Sequence, residues 1–470
     1  MGYDYLKAMK VLVSILIGLL VAGCGKDNPI GGKKDKNELM DAKVIAFPGA
    51  EGAGKYTKGG RGGDVYHVTT LKDSGPGSFR EGIESIEGSR TILFDLSGTI
   101  RLKKDIKIKD LSYLTIAGQT APGKGITFAD RNLRIENCSH LIARYFRIRL
   151  GDENKPDGTS PDCITIEYSN HVMLDHLSLS WGIDGNGDFR GLKHSTLQWL
   201  IFSEALHESL HGKGSHAMCT SFRESEGFAT LHHNVYASSR NRHPSTAGGP
   251  QVMEFANNLN YNWSGCHNLS GEQYNLLNNY YKAGPMKGNR LPIRYKSKAL
   301  KPVSHGYFSG NHFDGLPEQY NKDNYAAMDF ESSEPDGKYK GTTREFFEAT
   351  ERFDAGKYKL TRIETAQEAY ESCLKQSGCS LVRDSVDERL IESIRNNTGQ
   401  VIDSQDEVGG WDRYPSVARP PGFDTDRDGM PDAWERTSGL DPDDSSDGNQ
   451  DRDNDGFTNL EEYLNSLTQR

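Results

Sequence analysis

Short runs in which apolar and polar residues alternate recur along the chain, at Val172–Ser180, Thr196–Phe202, Thr230–Tyr236, Gln251–Asn258 and Tyr274–Tyr281. A period of two marks a strand whose faces meet different surroundings. Taking His176, Leu200, Asn234, Asn258 and Asn279 as equivalent positions gives spacings of 24, 34, 24 and 21 residues. That is too regular for a sandwich and too short for strand–helix–strand units. It predicts an all-β coiled parallel β-solenoid, each turn stacked on the last, with equivalent asparagines pairing along the axis. Periodicity alone leaves an ordinary antiparallel β domain as the alternative. The one long spacing places an insertion around His207-Glu-Ser-Leu-His-Gly-Lys-Gly-Ser-His216, and function tends to sit in such insertions. Helical periodicity is scarce: Thr343–Arg352, Thr365–Leu374 and Asp384–Asn396 are the amphipathic stretches, expected to pack along or cap the solenoid late in the domain.

Charge is informative once divided along the chain. Residues 421–470 hold 14 acids against four arginines, which accounts for the whole net charge of −10 and leaves 52 acids and 52 bases elsewhere. A neutral body without a basic stripe argues against nucleic acid as a partner. At the other end, Lys7 and Lys10 precede the apolar run Val11–Gly23, which is short for a membrane span and ends in small residues before Cys24. Leu20-Val-Ala-Gly-Cys24 resembles a bacterial lipobox, implying cleavage before Cys24 and lipidation of its thiol; an uncleaved anchor is the alternative. The expected organisation is a signal peptide at 1–23, a flexible tether at 24–42, a solenoid with late helices at 43–420 and a calcium-binding tail at 421–470. The mature chain would be an exported lipoprotein on the outer membrane, facing periplasm or cell surface. Six further cysteines follow Cys24; Cys373 and Cys379 are close enough in sequence to bridge, while buried unpaired thiols are equally consistent with the four in the solenoid.

The tail carries the sharpest metal signal. Asp424-Thr-Asp-Arg-Asp-Gly-Met-Pro-Asp-Ala-Trp-Glu435 and Asp451-Arg-Asp-Asn-Asp-Gly-Phe-Thr-Asn-Leu-Glu-Glu462 both satisfy the twelve-residue calcium loop. Side-chain oxygens would come from Asp424, Asp426, Asp428, Asp432 and Glu435 in the first and from Asp451, Asp453, Asp455, Asn459 and Glu462 in the second. The backbone of Met430 or Phe457 would supply position seven. These EF-hand-like repeats resemble those appended to extracellular bacterial enzymes, and with no full helix ahead of the first loop a structural role is expected rather than a sensor's.

Two patterns mislead. Gly49-Ala-Glu-Gly-Ala-Gly-Lys55 matches phosphate-loop spacing, but Tyr56 stands where Ser or Thr would hold magnesium, so the glycines read as tight turns. His207, His211, His216, His232 and His233 could suggest a metal site; their irregular spacing favours surface or stacking roles.

Ala46-Phe-Pro-Gly-Ala-Glu-Gly, Gly59-Gly-Arg-Gly-Gly-Asp-Val-Tyr-His-Val, Asp73-Ser-Gly-Pro-Gly-Ser-Phe-Arg80, Phe94-Asp-Leu-Ser-Gly-Thr-Ile100, Ile116-Ala-Gly-Gln-Thr-Ala-Pro122 and Ile402-Asp-Ser-Gln-Asp-Glu-Val-Gly-Gly410 resemble the pectate lyases of polysaccharide lyase family 1, over about Ala46 to Trp411. The resemblance implies a right-handed parallel β-helix, monomeric, cleaving α-1,4-linked galacturonan by calcium-dependent β-elimination. It implies that Arg242, in Asn241-Arg-His-Pro244, is the base and Lys213 the cation that stabilises the developing carbanion. Asp162, Asp184 and Asp188 would hold calcium. The family's second arginine falls at Ala247, so Arg240 or Arg223 would have to meet substrate carboxylates instead. Two readings compete: a β-helical hydrolase such as a polygalacturonase, which needs paired acids across the bond, and a non-catalytic surface β-helix that binds acidic glycan.

Overall fold

A computed structural model describes residues 40–154, 160–249, 251–270, 273–288, 291–295, 305–330 and 344–469. The expected signal peptide, Cys24 and all but the end of the tether lie outside the described residues. The rest is a parallel β-helix: three parallel sheets of ten, nine and nine strands, to which each turn gives one strand apiece. One turn reads Gly185–Arg190, Lys193–Gln198, Ile201–Ser203; the next reads Met218–Arg223, Glu226–His232, Val235–Ala237. The inserted residues form the loop between Ser203 and Met218.

Alternation explains the core. Inward-pointing Ile108, Ile135, Ile166, Phe189 and Phe222 lie on successive turns of one nine-stranded sheet and are all fully buried or nearly so. At a corner, the Asn234, Asn258, Asn279 and Asn311 amides form a ladder. Each Oδ1 accepts the preceding member's backbone N–H at 2.9–3.0 Å, and each Nδ2 donates to a carbonyl of the preceding turn. The ladder begins at the Leu200 N–H and ends on Asn324. Registers place Leu177, not His176, in line with Leu200 and Asn234. His176 belongs one residue earlier, to a column of left-handed residues in which Tyr145, His176, Trp199 and His233 stack ring on ring.

The outer faces are covered unequally. Residues 46–60 cross the ten-stranded sheet as a strap, Ala53, Gly54 and Gly60 donating backbone N–H groups to the Thr230, Thr196 and Thr115 hydroxyls. At Gly54 a Cβ would lie 2.6 Å from the Val172 carbonyl oxygen, so the phosphate-loop spacing reflects close packing. Helices Ala366–Gln376 and Ser385–Arg395, capped by Thr365 and Asp384, cover the third sheet, Leu374, Leu390 and Ile394 packing on Ile201, Val235 and Leu259. Buried Arg149 ties the second helix down through Asp384 and Asp387, each at 2.8 Å. The stretch from Thr343 differs from expectation: only Arg344–Phe347 is helical, because Phe347 is buried against Tyr274, Tyr295 and Phe308 and Glu348 bridges to Gly306. All six cysteines described are buried, and Cys373 and Cys379 are free thiols rather than a bridge. The tail docks on the first turns through Met430, Leu460, Tyr463 and Leu464 against Leu93 and Ala117, with an Arg61–Glu461 pair at 2.7 Å. Among the described residues no helix is long and apolar enough to cross a membrane.

Candidate active site

The remaining nine-stranded sheet carries an open cleft on its outer face. Its registers align Asp188, Ser221, Ser245, Asn268 and Arg294 in one row along the axis, each on a successive turn. Asp162 and Asp184 sit just ahead of strands Ile164–Glu167 and Gly185–Arg190, and Arg242 just ahead of Ser245–Ala247. All line the same cleft with Arg223 and Asn241. Three of the expected cation ligands and the expected base are thus brought together.

Local structure holds them there. A Cβ on Gly185 would fall 2.8 Å from Asp162 Oδ1, so only glycine admits that carboxylate so close. Asp188 accepts from Ser221 Oγ at 2.6 Å and pairs with Arg223. Burial, then the Asp184 and Asp188 charges, push the Asp162 carboxyl well above the usual range, against the pull of Arg242 and Arg223. Arg242 has φ +66°, a left-handed conformation that costs a non-glycine residue roughly 1–2 kcal/mol. It is fixed by the Asn241 side chain, which accepts its N–H at 2.8 Å, and by Thr220, whose N–H donates to its carbonyl at 2.8 Å. Among the described residues the Arg242 guanidinium makes no hydrogen bond or ion pair.

Other expected residues fall elsewhere. Lys213 is exposed on the inserted loop and is not among the cleft's lining residues. Arg240 is exposed, outside that lining, and its guanidinium contacts His207 at 3.1 Å. Arg223 lies directly beside Ala247 in register, one turn back. Of the five histidines weighed together, His211 and His216 stack at 3.5 Å and bring their Nε2 atoms within 3.9 and 3.0 Å of Asp184. They pin the loop to the cleft's edge; His232 and His233 are buried in the corner stack. Arg294 was missed. Its signal is the alternating Ile293-Arg-Tyr295, one repeat beyond the runs aligned above.

In the tail, Asp424, Asp426 and Asp428 draw together, as do Asp451, Asp453 and Asp455. Glu435 is wholly buried, and Asn459 Oδ1 and Glu462 Oε1 are buried without a partner. Asp432 is engaged locally, accepting from the Thr425 N–H at 2.8 Å and hydroxyl at 2.9 Å and pairing with Arg436 at 3.1 Å.

No family model matches the chain. It is 32% identical over 442 residues to the "Probable pectate lyase C" of Emericella nidulans, covering 90% of this chain and 93% of that protein. It is also 32% identical over 441 residues to the protein of the same name from Aspergillus fumigatus, covering 90% and 94%. Jun a 1, the major allergen from cedar pollen, shares the fold at a TM-score of 0.50 and 19% identity, over 70% of this chain and 92% of its own. At that fungal identity, sustained over nearly the whole length, the chain belongs to the pectate lyase family.

Proposed function

We propose that the protein is a polysaccharide lyase that cleaves α-1,4-galacturonan by calcium-dependent β-elimination. The observation that carries this reading is the cleft itself: three clustered carboxylates facing an arginine without a partner among the described residues. The donor set fits calcium, a hard cation that takes carboxylate oxygens; Asp162, Asp184 and Asp188 would hold it, and a cation would relieve the burial and mutual repulsion that raise Asp162. When bound, calcium supplies positive charge to the uronate carboxylate and so acidifies the adjacent C5–H.

Arg242 then removes the C5 proton at a guanidine nitrogen, for which it must be in its neutral form. The electron pair left at C5 forms the C4–C5 double bond as the C4–O bond breaks, and the departing oxygen takes a proton from solvent. The resemblance gives the carboxylate on which charge builds to Lys213, which sits on the inserted loop outside the cleft's lining. Arg294, on the row, and Arg223, two residues beyond Ser221 on the same strand, bind neighbouring uronates, and Arg223, in register with Ala247, stands in for the family's second arginine. The tail repeats are read as two further calcium sites, at Asp424–Glu435 and Asp451–Glu462. Cys24 is read as the lipid attachment point of an exported protein, which radiolabelled palmitate would test.

The deciding experiment is ultraviolet absorbance of polygalacturonate incubated with the protein in calcium and then in chelator. A calcium-dependent rise, lost in Arg242→Ala, supports elimination. New reducing ends without absorbance indicate hydrolysis, and neither signal indicates a glycan-binding protein.

A further inference from the structure

The tail contains a buried acidic pocket that its twelve-residue loops do not account for. Glu435 is 0% exposed, yet among the described residues neither of its carboxylate oxygens has a hydrogen-bond partner. Asp428 Oδ2, Asp426 Oδ2 and Asp447 Oδ1 are buried and unpartnered in the same way. Asp428, Glu435 and Asp447 each offer an oxygen within 4.8 Å of the others. Buried carboxylates left without a donor are costly unless a cation completes them.

Asp447 lies twelve residues beyond the first loop's last position, in the turn Asp447–Asn449 between the two repeats. Two features build it into the pocket. A Cβ on Gly448 would lie 2.4 Å from Asp428 Oδ2, so glycine is needed for that turn to close on the acids. Asp447 Oδ2 is held by the Asp441 N–H at 3.1 Å, which leaves Oδ1 for the pocket. Asp432, the side-chain ligand expected at position nine, instead closes its own loop onto Thr425.

The turn also connects the pocket to everything around it. The Asp447 carbonyl accepts from Asn459 Nδ2 at 2.8 Å, joining the second repeat. Asn449 Nδ2 donates to the Gly63 carbonyl at 3.1 Å, reaching the start of the solenoid. Met430, next to the pocket, is fully buried on that first turn.

We propose that Asp426, Asp428, Glu435 and Asp447 form a site for a hard divalent cation such as calcium, closed by Asp447 rather than Asp432, and that an ion there clasps the tail to the solenoid's first turns. This rests on the reading that the tail binds calcium. The test measures calcium stoichiometry by equilibrium dialysis and thermal unfolding, in calcium and in chelator, on the full chain and its variants. Asp447→Asn is expected to lose one ion per chain and to melt lower in calcium. In chelator it should melt no lower than wild type, since one repelling carboxylate is gone. Asp432→Asn keeps the ion. Should Asp447→Asn fail to fold, Gly448→Ala carries the test, with the same loss of one ion expected. The proposal is overturned if the tested variant keeps every ion, if Asp447→Asn melts lower in chelator too, or if Asp432→Asn loses the ion instead. Should Glu435→Gln also keep every ion, the reading of the first repeat as calcium-binding falls with it.

Discussion

The cleft and the tail both gather carboxylates, but they compensate them differently. Asp162, Asp184 and Asp188 come from two successive turns of a stiff sheet and are partly exposed, with Arg223 paired to one of them and Arg242 beside them. In the tail, Asp428, Glu435 and Asp447 are buried, and none pairs with a cationic side chain among the described residues. A half-compensated, open group can share its cation with a substrate and let it go. A buried group with no internal counter-charge depends on its ion for folded stability. One element can therefore serve catalysis in one region and architecture in the other.

The sharpest way to break this comparison is Arg242→Ala, which should lower elimination about 10²- to 10⁴-fold, the usual worth of a positioned base. Melting in calcium should hardly move, and turnover that survives would mean the cleft is not the catalytic region. Next in size, Glu435→Gln should cost about 3 kcal/mol of stability in calcium, what an ion at about a hundred times its dissociation constant contributes. Denaturant unfolding with and without chelator reads this directly, and an equal loss in both conditions would contradict the architectural role. Asp188→Asn should raise the calcium giving half-maximal turnover about tenfold, or about 1.4 kcal/mol; a calcium titration of initial rates checks it. The smallest effect expected is on Arg294→Ala, which should raise KM for polygalacturonate a few-fold, about 1 kcal/mol, and exceed the effect of Arg240→Ala. Equal KM values for these two variants would leave the row along the axis without a role in binding.

Asp188 and Arg242 lie outside the aligned runs and were legible through the family resemblance; the turns were legible through a period-two pattern whose nearly constant spacing determines which side chains share a face. Its tolerance is one residue: His176 and Leu177 are adjacent, and only hydrogen-bond register assigns the first to the aromatic stack and the second to the ladder's column. Loops escape such reasoning altogether. Lys213 lies where the His211 and His216 contacts with Asp184 set the loop, and no periodicity predicts that. Asp432 and Asp447 show the same limit in the tail. A linear loop pattern counts positions within twelve residues, whereas burial selects whichever carboxylate the fold brings near Glu435.

The asparagine ladder has a consequence for how such a chain can change length. Every rung both receives an N–H from its predecessor and presents its own N–H to its successor, so its repeating unit is one complete circuit of the solenoid. Removing part of a circuit would leave an amide facing the wrong partner, whereas removing the 24 residues from Asn234 to Asn258, or the 21 from there to Asn279, restores a rung to a rung. The length of this stretch is therefore quantised, and gain or loss of whole circuits is the path by which its cleft can be lengthened or shortened without refolding the rest.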